Sequence, residues 1–315
     1  MKIFVTGATG VLGRRVIRNL VAKRISVVAL SRSAGNAELL RKEHVEIRHA
    51  DLFNKREMIE ATEGCDAILH LATSIPRKAI PKLCDWEMND KIRDQGTANL
   101  IDAAIANDIK TFICQSVTLI YGQQHGDLVS SGTPLPTKQV EMAASTIKME
   151  TMLNDRLPGR YIIFRFGSFY SADDFFTNLI IDNVSNGKMP MVGDGKYYMN
   201  WIHLDDAASA LVFGVENQDK LRARILNVTD QHPILYADML NYLSKVLRHK
   251  SPFYLPAWIA RLILGKNGYA VLTNSYRVGS EPLLENWKPV YKNFLSGISE
   301  ILDERKNCSY KTVDQ

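Results

Sequence analysis

The sequence predicts an α/β protein, a doubly wound parallel sheet with a smaller, mainly helical C-terminal lobe. Three observations carry this. A strand-like run, Ile3-Phe4-Val5, passes through Gly7, Gly10 and Gly13 into a helical pattern on Val16, Leu20 and Val21. Strand-like and helical periods then alternate through the first half of the chain. The strand-like runs are almost continuously apolar, which suits parallel strands covered on both faces.

The glycine turn sets the frame. Glycines at a strand-to-helix junction let the backbone turn tightly and approach a pyrophosphate, while the helix N-terminus offers free N–H donors and positive dipole. A dinucleotide is therefore expected against Gly7, Thr9, Gly10, Val11, Leu12 and Gly13. The spacing is Gly-x-x-Gly-x-x-Gly rather than the usual Gly-x-Gly-x-x-Gly. Further strands are predicted at Ser26–Leu30, Val45–His49, Ala67–Leu71, Thr111–Gln115 and Tyr161–Phe164, with helices at 11–23, 55–62, 89–107 and 138–156. Ligands of such sheets bind beyond the C-terminal ends of the strands. Two long loops, 73–86 and 122–137, fall at that end and are expected to line a site.

After Phe166 the alternation breaks down. The run Trp201–Asp206 leads to a helix over 207–215, a strand follows at Ile225–Val228, and helices follow at 236–247, 257–264 and 292–304. The expected division is a dinucleotide-binding domain over 1–165, to which 199–228 returns, and a smaller, mainly helical lobe over 166–315. For Asp205 and Asp206 the residues alone favour N-capping of the helix at 207–215.

Bulk properties narrow the function classes. With 315 residues, 46% hydrophobic and 23% charged, the chain has the composition of an ordinary globular protein. Its net charge of +5 is scattered rather than gathered into blocks, so neither a nucleic-acid nor a membrane partner is expected. Cys65, Cys84, Cys114 and Cys308 show no Cys-x-x-Cys spacing, which favours reduced thiols over disulfides or metal and points to the cytoplasm. The first strand begins within two residues of Met1 and no apolar run approaches the roughly 18 residues of a membrane helix. No leader, anchor or metal is expected; a homodimer remains open.

About 20 residues beyond the glycines, an NAD site would place a carboxylate against the ribose 2′-hydroxyl. Here the second strand ends Leu30-Ser31-Arg32. A guanidinium pairs instead with a 2′-phosphate, so NADP(H) is the expected cofactor and NAD(H) the alternative.

The glycine turn, Asp51-Leu52, Asp66–Ala72, Gly96–Leu100, Tyr121-Gly122, Arg165–Tyr170, Gly193-Asp194-Gly195 and Trp201–Asp206 together resemble the extended short-chain dehydrogenase/reductase superfamily, in its NAD-dependent epimerase/dehydratase branch. The likeness runs over about 1–228, the last third is similar to the C-terminal lobe of less-studied members, and the resemblance implies a Rossmann fold whose lobe over 166–315 caps the substrate. The resemblance implies that Asp51 and Leu52 flank the adenine, that Leu71, Ala72 and Thr73 meet the middle of the cofactor, and that Asp205-Asp206 forms a structural corner.

That family works with Tyr-x-x-x-Lys on the helix after the fifth strand. Residues i and i+4 share a helix face, and the ammonium lowers a phenol pKa that is otherwise near 10. None of the 12 tyrosines here has lysine four residues later. The register read from the sequence aligns Lys148 with the lysine and puts Ala144 where tyrosine belongs. The assisting hydroxyl, four residues before the tyrosine of Tyr121-Gly122, falls on Val117, flanked by Ser116 and Thr118. Lys148 is expected to hold the nicotinamide ribose, with Ser116 beside the cofactor. Thr118, Tyr121 or water is expected to replace the acid, with Tyr170 a further candidate. His125, His203 and Cys114 read as structural. The leading expectation is an NADP(H)-dependent reductase, epimerase or dehydratase-like enzyme on a small organic substrate with a non-standard proton relay. A catalytically lapsed dinucleotide sensor, or a protein using the cofactor only structurally, would need the same turn.

Overall fold

The computed structural model describes residues 1–32, 34–136, 140–221, 224–279, 281 and 286–311. Seven strands form one sheet: β1 (Lys2–Thr6), β2 (Ser26–Ser31), β3 (Glu46–His49), β4 (Ala67–His70), β5 (Thr111–Val117), β6 (Tyr161–Phe166) and β7 (Arg224–Val228). Every pairing is parallel and the order across the sheet is β7-β6-β5-β4-β1-β2-β3. Strand order reverses between β1 and β4, the switch point outside which such sheets bind ligands.

Alternate side chains of the strands enter two cores. Ile3, Val5, Ala29, Leu69 and Phe164 meet α1 (Val11–Ala22) on one face, while Phe4, Val28, Ile68, Phe112 and Ile163 face the other. That second face is covered by α3 (Lys55–Thr62), α5 (Thr97–Ala106) and α6 (Glu141–Arg156), which follow α2 (Ala34–Arg41) and α4 (Glu87–Lys91) in the chain. Helix α1 forms because Leu12, Val16, Ile17 and Leu20 fall on one stripe at helical spacing. Each such buried side chain contributes about 1.5–3 kcal/mol.

The longer remaining helices are α7 (Phe175–Ser185), α8 (Leu204–Glu216), α9 (Tyr236–Val246), α10 (Ala257–Thr273) and α11 (Phe294–Lys311), with one helical turn at Gln218–Leu221 between α8 and β7. Helix α8 joins the first core beside α1, and β7 adds the seventh strand next to β6. A separate cluster of Tyr170, Ile181, Trp201, Tyr236, Leu240, Phe294 and Ile298 holds α7, α9 and α11 together. Four two-stranded ribbons stitch this lobe, including Ser168–Tyr170 with Trp201–His203 and Leu128–Val129 with Arg277–Val278.

Several elements differ from the sequence expectation; α7, for one, forms in a polar and aromatic stretch, 168–198, where no helix is expected. Helix α2 was not expected, since Gly35 and a weak apolar pattern obscure it. The single helix expected over 89–107 is α4, a π-turn at Ile92–Gly96 and α5. The helix expected to stop at Leu264 continues to Thr273 across Gly265, whose φ of 67° breaks the helical path. Residues 138 and 139 of the expected fourth helix lie outside the described residues.

Candidate functional site

The glycine turn lies pressed against the end of β4. Gly7 has φ +71°, and a Cβ there would stand 2.6 Å from the Leu71 carbonyl and the Ala72 nitrogen. A Cβ at Gly13 would meet the Gly7 carbonyl oxygen at 2.1 Å, so Gly13 serves the close packing of helix on turn, and a side chain there breaks the fold rather than binding alone. Gly10 is exposed; its N–H donates to the Gly7 carbonyl at 3.0 Å, and it precedes α1 without a side-chain cap. The first turn of α1 carries no acid. In α3, by contrast, Asn54 accepts from the Arg56 and Glu57 N–H groups. The α1 N-terminus, with Thr9 and Val11 half-buried around it, thus has backbone donors and no side-chain acceptor. This fits a pyrophosphate. Leu12 is buried, so only its backbone is available.

Arg32 stands exposed directly after β2. Beyond β3, Asp51 is exposed and accepts from the Phe53 N–H at 3.0 Å, while Leu52 packs against Gly96 and its carbonyl accepts from Asn99 Nδ2 at 2.9 Å. Beyond β4 the Leu71 N–H donates to the Thr6 carbonyl at 3.2 Å and the Ala72 N–H to Thr6 Oγ1 at 3.4 Å. Thr73 follows half-buried. Beneath them His70 touches Thr6 Oγ1 at 2.7 Å and Thr97 Oγ1 at 3.1 Å. Burial, aided by the Arg93 charge, lowers its pKa to about 3, which keeps the imidazole neutral.

The rotation of α6 decides which of its side chains face the sheet. Ala144 and Lys148 lie on its outer face, and Lys148 Nζ is 2.6 Å from Asp94. The face toward β5 and β6 carries Met142, Thr146, Met149 and Glu150. Two residues are about 200° round a helix, so a shift of two reverses the face. Glu150 sits against Ser116 near the end of β5. Thr146 and Met142 lie one and two turns nearer the helix start, beyond the strand ends. The i, i+4 pair turned inward ahead of Glu150 is Met142 and Thr146, neither a phenol nor a cation. Met142, Met149 and Leu153 at spacings of seven and four already marked this face.

The expected replacement acids are also placed in the interior. Tyr121 is fully buried; its hydroxyl donates to Asn227 Oδ1 at 2.8 Å and accepts from Arg165 Nη1 at 2.9 Å. Burial raises its pKa, so it holds its proton. Thr118 Oγ1 lies 3.2 Å from the buried Tyr276 hydroxyl. Tyr170 is fully buried in the lobe core, its pKa raised by burial. Arg165 donates from Nε at 3.0 Å and Nη2 at 2.6 Å to Glu150, which also accepts from Ser116 Oγ at 2.5 Å. Ser116, Glu150, Arg165, Tyr121 and Asn227 form one chain of hydrogen bonds across the sheet end. The sequence reading missed it, although an acid on the apolar side of a helix was its signal.

Cys114 is buried beside Met149 and its thiol is pushed up to about 12 by burial, consistent with a core residue. His125 is exposed. His203, not Asp205 or Asp206, caps α8, accepting from the Asp205 N–H at 3.2 Å. Asp205 pairs with Arg15 at 2.6 Å, and the buried Asp206 accepts from the Val290 and Tyr291 N–H groups at 2.7 and 3.0 Å. The capping expectation for the two acids is thus replaced by an ion pair and a chain-pinning corner. Among the described residues no cluster of three His, Cys, Asp or Glu side chains could hold a metal ion.

Comparison with known proteins agrees with this architecture. The chain is 26% identical over 313 residues, 95% of its length and 99% of the relative's, to a 3-diazoavenalumate denitrifying reductase of a Streptomyces species. It is 25% identical over 248 residues, 77% of its length and 72% of the relative's, to a 4-hydroxy-2-methyl-3-oxo-4-farnesyl-3,4-dihydroquinoline-1-oxide ketoreductase of Stigmatella aurantiaca. Among solved structures, UDP-glucose 4-epimerase of Thermotoga maritima superposes with a TM-score of 0.77 at 17% identity, covering 98% of this chain and 100% of that one, a likeness of fold. The model of the NAD dependent epimerase/dehydratase family matches residues 3–229. With the parallel sheet, the glycine turn and the bare N-terminus of α1 in place, the chain belongs to the NAD dependent epimerase/dehydratase family.

Proposed function

We propose that the chain is an NADP(H)-binding reductase for a small organic substrate whose reduction draws no proton from α6. The observation that carries this reading is the ligand-side face of α6, where Met142 and Thr146 stand in place of an acid and a cation. In the proposal Gly7, Gly10 and the first N–H groups of α1 hold the pyrophosphate. Asp51 and Leu52 flank the adenine, Arg32 pairs with the 2′-phosphate, Leu71, Ala72 and Thr73 line the middle, and Ser116 borders the nicotinamide end. A bound nicotinamide would supply the hydride. A ketone that accepts a hydride leaves an alkoxide that needs a proton donor. An aryl diazonium carbon that accepts one becomes C–H as dinitrogen leaves, with no proton taken from the protein. The full-length likeness to a denitrifying reductase of a diazo compound supports that second substrate class. The proposal includes a cytoplasmic homodimer, its contact being the outer face of α6 at Ala144, Ile147 and Met152. Its support is the exposed Ala144 with the half-buried Ile147 and Met152 beside it, the free Cys65 and Cys114, and the lack, among the described residues, of a helix able to cross a membrane.

The test is NADPH consumption with two panels, simple ketones and aryl diazonium salts, together with NADPH and NADH titrations of wild type and Arg32→Ala. Expected are turnover on the diazonium panel, little on ketones, and a roughly 10- to 150-fold NADPH preference that Arg32→Ala removes. The same α6 face also favours a lapsed sensor. That reading prevails if NADPH binds and neither panel consumes it.

A further inference from the structure

Arg93 lies in the π-turn at Ile92–Gly96, is 3% exposed, and has no partner at Nε. Its recorded contact is from Nη1 to Met149 Sδ at 3.7 Å. The nearby acids are already engaged, Glu150 by Arg165 and Ser116 and Asp90 by Ser145 Oγ at 2.6 Å. Burial lowers the Arg93 pKa, the expected response of a cation left without a carboxylate. A buried charge that is not paired is costly, and π-turns occur often at functional sites.

The position says what the charge is for. Asn89, Arg93 and Thr97 follow one another at four-residue spacing and all are buried. Asn89 Oδ1 accepts from the Ser74 N–H at 3.2 Å, and Thr97 Oγ1 lies 3.1 Å from His70 at the end of β4. Arg93 thus sits between two anchors tied to Ser74 and His70, the residues that flank Leu71–Thr73, with its Nη1 on Met149 of α6. This is the ligand end of the sheet, where the α6 position Thr146 supplies no cation.

We propose that Arg93, rather than Lys148, is the cation that holds the nicotinamide half of the bound dinucleotide, through its phosphate or ribose oxygens. The inference rests on the reading of the chain as a dinucleotide binder. In the apoprotein the guanidinium is a destabilising group retained for binding, so stability and affinity should respond to its removal with opposite signs.

The experiment compares wild type, Arg93→Met, Arg93→Lys and Lys148→Met by thermal unfolding of the apoprotein and by titration with NADPH and with adenosine 2′,5′-bisphosphate, which lacks the nicotinamide half. Arg93→Met should unfold at the same or a higher temperature and bind NADPH at least tenfold more weakly. Its affinity for the bisphosphate should match wild type. Arg93→Lys should fall between, and Lys148→Met should bind both ligands normally. Unchanged NADPH affinity in Arg93→Met overturns the proposal, as does a lowered apoprotein unfolding temperature with both ligands bound normally. If Arg93→Met does not fold, unchanged NADPH affinity in Arg93→Lys overturns it. A wild type that binds neither ligand refutes the dinucleotide reading itself.

Discussion

Replacing Glu150 by glutamine should destabilise the protein by about 3–5 kcal/mol, the loss that follows when a buried ion pair is left with one partner. The side chains of Arg165 and Glu150 are 4% and 7% exposed, and their closest contact is 2.6 Å. Screening by water is therefore slight, unlike the surface pair of Lys148 and Asp94, worth 0–1 kcal/mol at most by its kind. Glutamine preserves the volume but turns an N–H₂ toward the guanidinium and removes one of the acceptors that serve Arg165 and Ser116. Urea unfolding should show a lower midpoint at unchanged slope. Because the two charges offset each other, Glu150→Met with Arg165→Met should cost less than the sum of the two single changes. Tyr121→Phe should cost about 1–3 kcal/mol, since it leaves an Arg165 donor and Asn227 unpartnered. A loss below about 1 kcal/mol for Glu150→Gln would refute the account of this network. So would a Tyr121→Phe variant of full stability that loses turnover, which would restore Tyr121 as the acid.

Gly10→Val should fold but lose dinucleotide-induced thermal stabilisation, because its Cβ meets only the Gly7 carbonyl, at 3.2 Å, on the open side of the turn; Gly13→Val should fail to accumulate as folded protein. The double change Met142→Tyr with Thr146→Lys should produce ketone reduction measurable by NADPH consumption, general acid catalysis being worth about 10²–10⁴-fold, whereas Ala144→Tyr on the outer face should add none. His70 gives a pH signature: its pKa of about 3 in the folded protein lies below the ordinary 6.5. Between those values the unfolded chain binds the extra proton, so stability rises with pH from about 3 to 6.5. Its contribution is fully present above 6.5 and is lost on acidification. His70→Asn should flatten that part of a stability profile measured by urea unfolding at each pH.

Much of the fold was legible because its signals are local. Ile3-Phe4-Val5 and the glycines that follow specify strand, turn and helix within a dozen residues, and Gly7 and Gly13 meet backbone at distances that leave no room for a side chain. The sequence alone therefore determined the α/β class, the place of the dinucleotide turn and the absence of any Tyr-x-x-x-Lys. Tertiary structure decided the rest, since the rotation of a helix about its axis is set by what it packs against. The core turned Met142 and Thr146 inward and Lys148 out to Asp94. Contacts far apart in the chain, Tyr121 to Asn227 and Arg165 to Glu150, used up the hydroxyl that the linear order had left free. The same packing buried Arg93 with its Nε unpartnered, a feature visible only once β4, the π-turn and α6 are brought together.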